Sequence, residues 1–160
     1  MVEKDNNNKI RFTDHDGYRQ RAACICIRNE REDEILLITS RHKSSWTIPG
    51  GGIEQNESTN EAAHRELFEE AGVKGKIIRD LGVIENFERK RRTNVFVIHV
   101  EHEYDDWEEK ISLGRQRYWF HLKEAFSLLN SYKQSQLPLF ERFILTSPNY
   151  IQLIHHIKHS

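Results

Sequence analysis

The stretch GGGIEQNESTNEAAHRELFEEAGV, Gly50 to Val73, carries glutamates at positions 54, 57, 61, 66, 69 and 70. Like charges at neighbouring helix positions repel, so a purely structural helix gains nothing by collecting them. At about 100° per residue, Glu66 and Glu70 stack one turn apart with Glu69 beside them, while Ala63 and Leu67 fall on another face. Carboxylate oxygens gathered on one face suit a hard divalent cation, Mg²⁺ or Mn²⁺, whose charge offsets the repulsion. The glycine-rich loop just before the helix brings backbone groups to the same place, the Gly50 carbonyl among them. Magnesium that keeps open positions is the usual partner of substrate phosphates, where it polarises a phosphoryl oxygen and generates hydroxide. The competing reading is a solvated acidic helix face.

The helix has clear ends: Ser58 and Glu61 form an S-x-x-E capping box, and Gly72 follows the last turn as a C-terminal cap. Around it, alternation predicts strands over Arg21–Arg28 and Glu34–Thr39, joined by the polar loop NERED. Trp46–Pro49 runs into the three glycines. Lys76–Glu85 and Thr93–Glu101 read as strands joined by the basic segment 87–92, and Gln116–His121 as a further strand. Helical patterns follow at 122–130 and around 137–146, and Ser147-Pro148 caps a last short helix. Strands before helices, with one helix in the middle, predict a mixed sheet between helices.

At 160 residues, with 31% charged and 37% hydrophobic, the chain reads as one domain long enough to bury a core. Residues 1–9 read as a disordered tail, 10–146 as the domain, and 147–160 as a helical tail packing on or extending it. No apolar run approaches the roughly 18 residues of a membrane span, and no signal-peptide pattern opens the chain. Cys24 and Cys26 point to one strand face, too close for a relaxed disulfide, and read as core residues of a reduced compartment. The expectation is a cytoplasmic protein, with the nucleus as a second compartment. His155, His156 and His159 read as the polar face of a terminal amphipathic helix.

From Gly51 the sequence runs G-x5-E-x7-R-E-L-x-E-E-x-G-V without a departure, a pattern that chance would give less often than about once in a million. It resembles the Nudix box, the signature of hydrolases that cleave a diphosphate linked to another moiety. The resemblance implies an α+β fold, an α/β/α sandwich with a mixed β-sheet between helices. It also implies roles. Glu66 and Glu70 would be ligands of Mg²⁺ (or Mn²⁺), with the Gly50 carbonyl as a third. Glu69 would bind metal or act as the base that deprotonates the attacking water. Arg65 would hold a neighbouring glutamate, and Glu57 would brace the loop against the helix.

The box names a chemistry and leaves the substrate to the rest of the chain. Four consecutive cations stand in NFERKRRT (86–93), and others stand where strands begin or end: Arg19, Arg21, Arg41, His42, Lys43, Arg115 and Arg117. A bowl of such cations beside a metal wall suits a small, densely phosphorylated substrate. The segments DGYRQRAACICIR, SRH…W…PGGGIE, REL.EEAGVKG, ENFERKRRT, DWEE…GRQRYWF and a later YK resemble, in order and spacing, the diphosphoinositol polyphosphate phosphohydrolases. Those enzymes remove the outer phosphate of inositol pyrophosphates and also cleave diadenosine polyphosphates. Carried over, Arg11, Arg19 and Arg21 would grip inositol phosphates, and Thr39, Ser40 and Arg41 would add contacts. The backbone of Gly50, Gly51 and Gly52 would approach the diphosphate. Arg89, Lys90 and Arg91 would close over the ring, with Arg115 and Lys133 completing a positive rim. Arg19 stands where that family often has lysine, Arg91 where it often has histidine, and IEQNEST lacks its proline.

The alternatives are a dinucleoside or inorganic polyphosphate hydrolase, with Trp46, Phe87 or Trp107 as a base slot, and an inositol-phosphate-binding module without catalysis. The retained glutamates oppose the second. The scattered bases and missing aromatic motif oppose a nucleic-acid partner. The oligomeric state is open, a monomer being slightly favoured.

Overall fold

The computed structural model describes residues 2–4 and 10–159. Its strands are β1 (Val2–Lys4), β2 (Ile10–Phe12), β3 (Arg19–Ile27), β4 (Glu34–Thr39), β5 (Trp46–Thr47), β6 (Gly50–Gly52), β7 (Val73–Asn86), β8 (Arg91–Glu103) and β9 (Arg117–His121). Its helices are α1 (Thr59–Ala71), α2 (Glu108–Leu113), α3 (Leu122–Tyr132), α4 (Leu137–Thr146) and α5 (Tyr150–His159). Of the stretch read as a tail, Val2–Lys4 pairs antiparallel with Ile10–Phe12, because β2 offers an edge that composition does not advertise. Residues 5–9 lie outside the described residues.

β3 explains the layering. Ala23, Ile25 and Ile27 belong to a core shared with Phe140, Phe143 and Leu153 of α4 and α5, while Ala22, Cys24 and Cys26 belong to one shared with Ala62, Ala63 and Leu67 of α1. A strand buried on both faces needs a continuous run of apolar or small residues, which AACICI supplies. β4 divides in the same way, with Ile35 and Leu37 on the first side and Leu36 and Ile38 on the second. Helix α1 therefore covers one face, and α3–α5 cover the other. The small side chains let α1 come close: the Cys24 thiol donates to the Ala63 carbonyl at 3.3 Å.

The strands form a four-stranded sheet ordered β6-β3-β8-β7 and a three-stranded one ordered β5-β4-β9. Only β3 and β8 run parallel within these two sheets, so the larger sheet is mixed and the smaller antiparallel. Strand 34–39 and helix 137–146 fall on the expected residues. The basic segment expected as a loop over 87–92 is shorter: the turn covers 87–90, and Arg91 and Arg92 belong to β8. Pairing on both sides carries the ladder that far, with Arg91 opposite Arg19 on β3 and Asn86 on β7. Helix α2 went unanticipated from the sequence, its six residues being too few to show a period. Among the described residues no helix is long and apolar enough to cross a membrane.

Candidate active site

Helix α1 is fixed at both ends by its own sequence. The Ser58 hydroxyl accepts from the Glu61 N–H at 3.1 Å, and the Ser58 N–H donates to the Glu61 carboxylate at 3.4 Å. Such a cap contributes about 1 kcal/mol. At the other end Gly72 takes a left-handed φ of 64° and its N–H donates to the Phe68 carbonyl at 3.0 Å. Trp107 packs against that turn and its indole N–H donates to the Glu70 carbonyl at 2.9 Å. Arg117 lies 4.4 Å over the Trp107 ring and donates to the carbonyls of Ala71, at 2.8 Å, and Gly72, at 3.2 Å. The free carbonyls of the helix end are thus satisfied by residues more than thirty positions away.

Arg65 organises the acidic face. Its guanidinium donates to both oxygens of Glu57 (2.6 and 2.9 Å), to Glu66 (2.9 Å), to Glu69 (3.3 Å) and to the Gly52 carbonyl (2.9 Å). Arg65 therefore holds neighbouring glutamates, and Glu57 braces the loop: the Glu54 N–H also donates to Glu57 at 2.9 Å. Glu66 and Glu70 are buried, at 7% and 6% exposure. Burial first, and then the neighbouring Glu66 charge, hold the Glu70 carboxyl well above the usual carboxylate range; Arg115, 3.7 Å away, opposes this. Gly51 makes room for Glu66, since a Cβ there would stand 2.4 Å from its carboxyl carbon.

These residues fit a hard divalent cation. Burial and the neighbouring Glu66 charge raise the proton affinity of Glu70, and a cation in place of that proton would relieve the repulsion. All the donors are oxygens, as Mg²⁺ requires. Among the described residues no three His, Cys, Asp or Glu side chains already converge as a finished ligand set. Glu66 and Glu69 each accept from Arg65 through one oxygen, at 2.9 and 3.3 Å, which leaves their second oxygens and the buried Glu70 carboxyl as side-chain donors on this face.

Beside this wall opens a cleft of about 1060 Å³. Arg21, Gly50, Arg89, Arg91 and Lys133 line it, together with Gln136 and the exposed rings of Phe87 and Tyr132. Arg21 reaches the Gly50 carbonyl at 3.4 Å, joining the cleft to the glycine-rich loop that packs beside Glu66. Burial, and then the charges of Arg89, Arg91 and Arg115, lower the proton affinity of the Lys133 amine. The cations crowd one another, a condition that a polyanion would relieve.

Other expected contacts stand elsewhere. Arg115 is buried, donating to the Thr39 carbonyl at 2.6 Å and to Glu109 at 3.0 Å, so it braces the floor and does not form the rim. Thr39 is also buried, its hydroxyl accepting from the Gln116 N–H at 2.9 Å, and Ser40 is buried beside it. Arg19, Arg41, Lys90, Gly51 and Gly52 do not line the cleft. The Lys90 carbonyl instead accepts from the Arg19 N–H at 2.9 Å, across the top of the β3–β8 pair. The side chain of Arg11 lies outside the described residues. Of the expected aromatic slots, Trp107 is packed under α1 and Trp46 stands edge-on to Phe120, 5.0 Å between centroids; only Phe87 lines the cleft. The sequence reading missed Gln136, whose side chain accepts from the Ile48 N–H at 2.9 Å and donates to the Thr47 hydroxyl at 2.6 Å. Nothing local marks a lone glutamine for that role.

The model of the NUDIX domain matches residues 18–143, and the chain belongs to the Nudix hydrolase family. Within it, diphosphoinositol polyphosphate phosphohydrolase 2 of Rattus norvegicus is 45% identical over 139 residues, covering 86% of this chain and 78% of that protein. Diphosphoinositol polyphosphate phosphohydrolase 3-alpha of Mus musculus is 47% identical over 140 residues, covering 86% and 85%. A solved chain from work on MutT of Aliivibrio salmonicida and Vibrio cholerae shares the fold at TM-score 0.62 and 22% identity, covering 79% of this chain and 96% of that one.

Proposed function

We propose that this chain hydrolyses the diphosphate group of diphosphoinositol polyphosphates, releasing phosphate, with Mg²⁺ (or Mn²⁺) held by Glu66, Glu70 and the Gly50 carbonyl. The observation that carries the reading is the placement of four cations, Arg21, Arg89, Arg91 and Lys133, in one cleft that reaches Gly50 at the foot of the glutamate helix. The names of its relatives support the substrate class.

The cleft cations bind the ring phosphates and offset their charge. A divalent cation held by Glu66, Glu70 and the Gly50 carbonyl would supply Lewis-acid polarisation of a phosphoryl oxygen and favour hydroxide at neutral pH. Glu69 stands on the same face, half-buried, with one carboxylate oxygen at 3.3 Å from Arg65, and its carboxylate takes the proton of the attacking water or joins the metal donors. Arg65 keeps Glu66 and Glu69 from turning away. The side activity on diadenosine polyphosphates has one feature in its favour: Phe87 and Tyr132, 73% and 64% exposed, line the cleft and offer faces for stacking.

The test is release of orthophosphate from a diphosphoinositol pentakisphosphate with Mg²⁺ present and after chelation. Release that requires the metal, and falls on reversing the charges of Arg89 and Arg91, supports the reading. Metal-independent release, or release indifferent to those charges, refutes it.

A further inference from the structure

Arg92 looks in the sequence like one more member of the cation run, yet the fold turns it the other way. Successive residues of a strand point to opposite faces. Arg91 lines the phosphate cleft, and Arg92 faces a separate small cavity with Asp14, Gln20 and Asn94. There it is held by three carboxylates. It donates to Asp14 at 2.6 Å, to both oxygens of Asp16 at 2.9 and 2.6 Å, and to Glu85 at 2.8 Å. Its guanidinium also lies 4.2 Å over the Tyr18 ring, and Tyr18 meets Phe87 edge-on at 6.4 Å.

This latch ties three pieces of chain to the base of the 87–90 turn. Asp14, Asp16 and Tyr18 belong to the segment ahead of β3, Glu85 lies near the end of β7, and Arg92 lies near the start of β8. The turn needs such an anchor. Arg89 and Arg91 project beside Lys133 and Arg21, so like charges push the turn away from the cleft. Lys90 holds a left-handed φ of 50°, a conformation that costs a non-glycine residue free energy. Within the turn, the Arg89 N–H donates to the Asn86 side chain at 3.0 Å. Arg92 supplies the restraint from behind; of its three carboxylate partners, Glu85 borders the cleft while Asp14 and Asp16 stay out of its lining.

We propose that Arg92 is a positioning residue: by clamping Asp14, Asp16 and Glu85 it fixes the turn that aims Arg89 and Arg91 at the bound polyphosphate, and so sets affinity for polyanions without touching them. The inference rests on the reading of the cleft as a polyphosphate site.

A double-mutant cycle decides it. Inositol hexakisphosphate is titrated calorimetrically, without metal, into wild type, Arg92→Gln, Arg89→Gln/Arg91→Gln, and the triple variant. Arg92→Gln alone weakens binding about 10–100-fold. In the background lacking Arg89 and Arg91 the same change has less than about a threefold effect, since coupled residues are non-additive. On a diphosphoinositol pentakisphosphate, Arg92→Gln raises KM with kcat unchanged, whereas general loosening of the fold would lower kcat as well. Should Arg92→Gln fail to fold, Asp14→Asn/Asp16→Asn opens the latch with Arg92 in place and weakens binding in the same coupled manner. Equal losses in both backgrounds, or undiminished binding by Arg92→Gln, overturn the proposal while leaving the cleft intact. Absence of wild-type binding overturns the cleft reading and the proposal together.

Discussion

Arg65 and Glu57 meet fork to fork, Nε to one carboxylate oxygen at 2.6 Å and Nη2 to the other at 2.9 Å, and this pair joins the glycine-rich loop to the helix that bears Glu66, Glu69 and Glu70. The guanidinium is left with hydrogens for Glu66, Glu69 and the Gly52 carbonyl. Arg65→Lys cannot reproduce a five-donor fork. It is expected to cost about 2–3 kcal/mol of stability, as for hydrogen bonds to charged groups, and to lower kcat more than it raises KM. Urea melts and steady-state kinetics on one preparation check both parts. A variant with wild-type kcat would show that the acidic face does not depend on this hub.

Glu70→Gln keeps the shape of a buried side chain and removes its charge. The Glu70 carboxyl already binds its proton tightly, first through burial and then through Glu66, so the neutral amide is expected to preserve the fold or stabilise it. Turnover is expected to fall by at least about 100-fold if the proposed metal donor is lost. Circular dichroism melts and Mn²⁺ binding followed by electron paramagnetic resonance separate the two effects. Glu69→Gln, at a half-buried position, is expected to lose about 10²–10⁴-fold in kcat if it serves as the base, with Mn²⁺ binding retained.

Trp107 acts on the far end of the same helix. Trp107→Phe removes the hydrogen bond to the Glu70 carbonyl and part of the surface under Arg117. The expected cost is about 1–3 kcal/mol from an unsatisfied buried carbonyl and a small cavity. Mn²⁺ affinity is expected to weaken with it, because Glu70 sits on the loosened turn. A stability loss with unchanged Mn²⁺ affinity would make Trp107 a packing residue alone.

The sequence made the site's local parts plain and its long-range ones obscure. The capping box, the left-handed Gly72 and the stacking of Glu66 on Glu70 all lie within a few residues of one another, so their spacing reports their geometry. Arg92 pairs with Asp14, 78 positions away, and Arg115 with the Thr39 carbonyl, 76 away. No periodicity encodes those partners. A run such as ERKRR therefore reads as a single basic loop, although strand alternation sends Arg91 to the cleft and Arg92 away from it.

Acid should open the Arg92 latch. Hydrogen bonds from Arg92 lower the Asp14 carboxyl, and lower that of Asp16 from 3.8 to about 2. Groups depressed in the folded state contribute stability that is complete above 3.8 and is lost as pH falls toward about 2. Wild type is therefore expected to lose stability more steeply over that interval than Arg92→Gln, in which the carboxyls have no such partner. Thermal melts across the interval check this, and parallel curves for the two proteins would refute it.

The most direct measurement compares kcat/KM for a diphosphoinositol pentakisphosphate, a diadenosine polyphosphate and ADP-ribose, with Mg²⁺ and a single enzyme preparation. This ratio reports discrimination between transition states. The cation cleft leads us to expect a clear preference for the inositol pyrophosphate, lost when Arg89 and Arg91 are reversed in charge. A preference for the diadenosine compound that survives the reversal would contradict the account and leave the glutamate helix serving a different substrate.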